Sequence, residues 1–131
     1  MLEIKELPGE PIIVFHVRLP HVPQDDVSET LKTTAEFKQK MGGHIYRIVD
    51  LSLFNLSFSD AMLGMAAERG AEGGVNDMEM STIFVGSGEM VKFGAKAFQE
   101  QKQYGETNVV FVCSTVEEGI AFARAELAKE E

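Results

Sequence analysis

The residues best suited to chemistry lie in one stretch, Asp50-Leu51-Ser52-Leu53-Phe54-Asn55-Leu56-Ser57-Phe58-Ser59-Asp60. It holds two carboxylates and three hydroxyls among exposed-type apolar residues. Paired carboxylates are the ordinary equipment of general acid–base catalysis, so Asp50 and Asp60 are the candidate pair for an enzyme. Serines at a helix start serve as caps or as sites for phosphate, whose dianion favours the helix N-terminus. Ser57 and Ser59 are the candidates. Leu53, Phe54, Leu56 and Phe58, with Met62 and Met65 following, can line an adaptable apolar pocket or simply fill a core.

Elsewhere the chemistry is sparse. His16, His21 and His44 show no helical i,i+3 or i,i+4 pairing and no acidic residue at a zinc-protease spacing, and the chain has one Cys. No metal site is expected, since a closed zinc site needs four convergent ligands. Cys113 ends an apolar run beside a helix start, a place that can lower a thiol pKa. With no base near it in sequence, it reads as a small buried hydrophobe. Gly86-Ser87-Gly88 follows a strand and opens a helix, as phosphate-binding turns do. It lacks the lysine and further glycines of such loops, so it reads as a turn with Ser87 as cap. Lys92, Lys96 and Lys102 make a small basic face on one helix. No cofactor loop is present, and no enzyme is expected.

These residues must be carried by some scaffold, and the periodicities predict one. Leu2 and Ile4 alternate with Glu3 and Lys5, as in a half-buried strand, before the Pro8-Gly9 turn. Ile12 to Leu19 reads as a second strand, making an antiparallel hairpin with a short, charged edge. A helix over 25–41 follows, with Val27, Leu31, Thr34/Ala35 and Met41 as its apolar stripe and Phe37 near its edge, closed by Gly42-Gly43. His44 to Leu51 reads as a strand, then 60–69 as a helix capped by Ser57 or Ser59. Gly70 to Asp77 is the loosest segment. Met80 to Val85 reads as a strand, then 89–103 as a helix with Met90, Phe93/Gly94, Ala97 and Gln101 on one face and Val91 and Phe98 beside it, stopped by Tyr104-Gly105. Val109 to Cys113 is all apolar, as in a strand covered on both faces. The last helix begins with a capping box, Ser114 with Glu117 or Thr115 with Glu118, and carries a Val116, Ile120, Ala123, Leu127 stripe.

The order β-β-α-β-α-β-α-β-α predicts an α/β fold: a five-stranded mixed sheet, mostly parallel, with four helices and right-handed crossovers. The 131 residues are expected to form a single domain, which by surface scaling buries roughly two-thirds of its surface. Twelve Lys+Arg against 21 Asp+Glu give a net charge of −9. That argues against nucleic acid and anionic membrane surfaces, both of which need a basic patch. The apolar stretches are too short to insert in a membrane. Met1 to Glu10 lacks the features of a signal peptide, and a single Cys suits a reducing, cytoplasmic compartment.

The Asp50 to Asp60 segment resembles the signature of STAS domains, known from anti-sigma-factor antagonists. In that family a strand ending in Asp-Leu-Ser leads through an apolar stretch to Asp-Ser-Ser-Gly at a helix start. Asp50-Leu51-Ser52 matches the first part. At the second, Phe58 stands at the family's Asp, Ser59 at its first Ser, Asp60 at its second Ser and Ala61 at its Gly. Thr82 to Gly86 resembles the family's next strand, and Val110 to Ile120 its closing strand and helix. The chain is also similar to the SpoIIAA-like group of STAS-related bacterial proteins, whose sheet resembles that of lipid-binding CRAL-TRIO domains. The resemblance implies a non-catalytic regulatory or protein-interaction domain. Its surface would lie at Asp50, Phe54, Ser57, Phe58, Ser59, Asp60, Gly86 and Ser87, with Ser59, at the motif that a kinase phosphorylates in that family, as the phosphoacceptor, and its partner would be a kinase or signalling protein. The alternatives are a homodimer contact and a small apolar or lipid-like ligand held at the sheet edge.

Overall fold

The computed structural model describes residues 1–100 and 106–130. Five strands form one sheet in the order β1-β2-β3-β4-β5. They are β1 (Leu2–Glu6), β2 (Ile12–Val17), β3 (Ile45–Asp50), β4 (Met80–Val85) and β5 (Val109–Cys113). The helices are α1 (Pro23–Met41), α2 (Phe58–Glu68), α3 (Glu89–Glu100) and α4 (Val116–Lys129). β1 pairs antiparallel with β2, and every later pairing is parallel. The mixed α/β architecture is the one expected. The expected end of the third helix at Gln103, its stop at Tyr104-Gly105, and the contributions of Gln101 and Lys102 lie outside the described residues.

The strand order has a direct consequence. Each of the three crossovers steps one strand in the same direction, and crossovers share one hand. They must therefore lay α1, α2 and α3 on the same face. α1 and α3 rest on β2–β3 and β4–β5, while α4 returns across β3, β4 and β5 on the other face. Side chains alternate accordingly. Ile12, Val14, Tyr46, Ile48, Ile83 and Cys113 meet α4 at Ala123. Val17, Val49 and Phe84 point the other way, toward Met65, Val91 and Phe98.

Several local expectations are corrected. α1 starts at Pro23, with Pro in its first turn and no side-chain cap. Its buried line is Asp26, Thr30, Thr34 and Phe37, while Met41 is exposed. The threonines go inward because their hydroxyls satisfy themselves: Thr30 Oγ1 donates to Asp26 O at 2.8 Å and Thr34 Oγ1 to Thr30 O at 2.7 Å. α2 starts two residues before Asp60, with Ser57 as its cap. On α3 the expected Ala97 and the flanking Val91 and Phe98 are buried, with Ala95, while Phe93 is exposed, so the buried line is shifted toward the Val91–Phe98 side. β5 is an edge strand and is not covered throughout. A register shift pairs Thr82 with Val109 and Ile83 with Phe111, so Val110 is the extra residue and turns outward. At α4 the Thr115–Glu118 pair is the one used, Glu118 N donating to Thr115 Oγ1 at 3.2 Å.

Candidate functional site

α2 separates the site into its parts. It packs on α1 and α3, whereas every other helix packs directly on strands. The residues it turns inward include small ones: Ala61 and Gly64 precede Met65 and Glu68 on one side. α3 answers with Gly94 and Ala95. A Cβ built on Gly64 would meet nothing within 4 Å, and one on Gly94 would meet only Met65 Sδ at 3.9 Å. Small residues on both helices leave the space beneath α2 unfilled. The result is a cavity of about 100 Å³ between the three helices and the sheet. Its walls are apolar, with Val17, Val49 and Phe84 as the floor and Leu56, Met65 and Phe98 around them.

Polar groups border the cavity at three places. At the far end of α2, Glu68 is bound to Arg47, a guanidinium with no exposed surface. Arg47 Nη2 donates to Glu68 Oε1 at 2.8 Å and Nη1 to Oε2 at 3.0 Å; Nη1 also reaches Gly73 O and Nε reaches Thr82 Oγ1. At the start of α1, Asp26 Oδ2 accepts from His21 Nδ1 at 2.6 Å and from the Met1 amino group at 2.8 Å. Burial raises the Asp26 pKa, but the bonds to the amino group and His21 outweigh it and hold the pKa below the ordinary value. The His21 ring packs on Phe54, centroids 4.9 Å apart. At the start of α2, Asp60 lines the cavity. Its backbone N–H donates to Ser57 Oγ at 3.0 Å, and its carboxylate has no partner among the described residues.

Asp50 belongs to the opposite face. It continues the Tyr46, Ile48 line toward α4 and stands in register with His16 on β2. Asp50 Oδ2 accepts from His16 Nδ1 at 2.7 Å, and Oδ1 takes Ser52 N at 3.0 Å and Ser52 Oγ at 2.5 Å. Burial opposes its charge; the Ser52 and His16 bonds win and lower its pKa. The sheet therefore stands between Asp50 and Asp60, and the candidate carboxylate pair is not brought together.

The remaining expected residues are distributed as follows. Ser57 caps α2, Ser59 is exposed in its first turn, and Phe58 is 59% exposed with its ring 6.1 Å from that of Phe93. Gly86 is buried, donating its N–H to Cys113 O at 2.9 Å, and a Cβ there would press on Val91. Ser87 is exposed. Cys113 is buried, and burial pushes its thiol pKa up, so the helix start beside it does not activate it. His44 Nε2 lies 2.8 Å from Ser81 Oγ. Among the described residues no group of three or more His, Cys, Asp or Glu converges as a metal site, and no helix is long and apolar enough to cross a membrane.

Sequence reasoning missed the Arg47–Glu68 pair, the His21–Asp26 and His16–Asp50 pairs, and the cavity itself. One signal was present: the inward positions of α2, Ala61, Gly64, Met65 and Glu68, combine small residues with an acid on one helical stripe. No family model, curated protein or solved structure matches the chain.

Proposed function

We propose that this chain is a non-catalytic, STAS-like binding domain whose site is the cavity beneath α2, and that it takes a small apolar ligand there. The observation that carries the reading is the stand-off of α2 itself. A helix with Ala61 and Gly64 facing Gly94 and Ala95 forgoes dispersion contacts that a packed helix would make, and apolar cavities of this order bind ligands of about benzene size. Asp26 and Glu68, the other acids on the lining, are already committed to protein partners, which favours binding over proton transfer. The test is titration of the full chain with 1-hexanol and benzyl alcohol, followed by amide and methyl NMR. Saturable shifts at Met65 and Phe84 are expected. Shifts that never saturate, or that scatter over the surface, would overturn the reading.

A regulatory, protein-interaction reading keeps one specific support. Ser57 takes the capping role, so Ser59 is exposed beside the exposed Phe58–Phe93 pair. Phosphate at Ser59 would meet the N-terminus of α2 favourably and Asp60 unfavourably. Incubation with a candidate partner kinase should label Ser59 and not the Ser59→Ala variant; labelling elsewhere, or none, would sink it.

A further inference from the structure

The charges around the cavity are unevenly matched. Asp26 is met by His21 and the Met1 amino group. Glu68 is met by Arg47 in a two-toothed pair. Asp60 is not met by any described residue: only its backbone N–H is engaged, by Ser57. Among the described residues no lysine or arginine lines the cavity. The helix N-terminus makes a carboxylate comfortable at this position, but it supplies no donor to the carboxylate oxygens, whose lone pairs stay free for a ligand.

Resting on the reading of the cavity as a binding site, we infer that its ligand is an amphipathic amine: a protonated amino group at Asp60 and an apolar body of roughly six carbons beneath α2. A carboxylate of the same body would place a second negative charge beside Asp60, with no lysine or arginine among the described lining residues to answer it. The cavity is therefore unsuited to fatty acids, although its walls are apolar enough to accept their chains. The body fixes that a ligand enters, and Asp60 fixes which end stays at the mouth. Specificity of this kind comes as much from the repelled alternative as from the attracted one.

Three probes of one chain length separate the contributions: hexylamine, 1-hexanol and hexanoate, titrated into the full chain at neutral pH and read by NMR shifts. A charge-assisted hydrogen bond at a partly buried site supports a preference of about tenfold for hexylamine over hexanol, with hexanoate weaker than hexanol. Asp60→Asn should bring amine and alcohol to within about twofold of each other, chiefly by weakening the amine. Gly64→Leu, which fills the cavity from α2, should remove binding of both. Equal binding of amine and alcohol to the unaltered chain, or a preference for hexanoate, would overturn the amine inference and leave the cavity reading standing. Absence of saturable binding by all three would overturn both. Amine binding that survives Gly64→Leu would place the amine on the acidic surface and overturn the inference as well.

Discussion

A fully buried guanidinium is tolerable only when its donors are used, and Arg47 spends them on Glu68, Thr82 and Gly73. Replacing buried pairs by apolar groups is often neutral, whereas removing one partner strands the other charge. Arg47→Met should therefore destabilise the fold by about 3–5 kcal/mol in urea unfolding, and adding Glu68→Leu should restore most of it. A double variant no more stable than the single would refute the stranded-charge account. Asp50 makes a prediction about pH. Its pKa is lowered in the folded chain by Ser52 and His16 against the pull of burial. The stability it contributes is complete above the ordinary 3.8 and is lost as pH falls through the folded value. Stability should fall on acidification below about pH 4, and Asp50→Asn, less stable at pH 7, should show a shallower acid slope. Acid unfolding curves of the two proteins check it. These residues show what sequence could not yield. Arg47 sits between apolar neighbours on its strand, and its partner lies 21 positions away; nothing local ties them. His16 meets Asp50 only through the β2–β3 register, which is a property of the assembled sheet. The candidate pair Asp50–Asp60 failed for the same reason, since sheet parity, not nearness in sequence, decides which face a side chain reaches.

At the scale of elements, the instructive helix is α2. Gly64 lies mid-helix with open space where a Cβ would go. Glycine there costs about 0.5–1 kcal/mol against alanine, so Gly64→Ala should stabilise by about that amount in thermal or urea melts while narrowing the cavity. Gly73 is the contrast. Its φ is +79° and a Cβ would stand 2.8 Å from Leu31 O on α1. Gly73→Ala should destabilise, by more than Gly64→Ala gains, because both conformation and space forbid the methyl. If both alanines acted alike, this account of the two glycine positions would be wrong. The elements themselves were legible because each carries its period and its punctuation: Pro23, Gly42, Ser57 and the Thr115–Glu118 pair all act at ends. The faces were less legible. α1 buries Thr30 and Thr34 because bonding to the preceding turn removes the cost of their hydroxyls, an option that hydropathy does not register. Likewise the small residues of α2 and α3 read as ordinary helix surface until the two helices are seen to face each other over a void.

For the whole molecule the governing quantity is charge. Twenty-one acidic residues face twelve basic ones, and several of the cations are consumed locally: Arg124 by Glu10, Arg47 by Glu68, and Lys38 by Asp77, Glu72 and Glu79 together. Even the Lys38 cluster is left net negative. Two opposing effects then respond to salt. Screening weakens exposed ion pairs such as Arg124–Glu10, each worth little, and it also weakens the repulsion among the surplus carboxylates, which acts against the compact state everywhere. The buried Arg47–Glu68 pair is screened much less than either. With a surplus of nine negative charges, relief of repulsion should win. Raising salt from 0.01 to 0.1 M shortens the screening length from about 30 to about 10 Å, and the Tm should rise, by a few degrees if the gain is about 1 kcal/mol. Scanning calorimetry across that range checks it. A Tm that falls with salt would mean that the surface pairs, rather than the surplus, set the electrostatic balance of this fold.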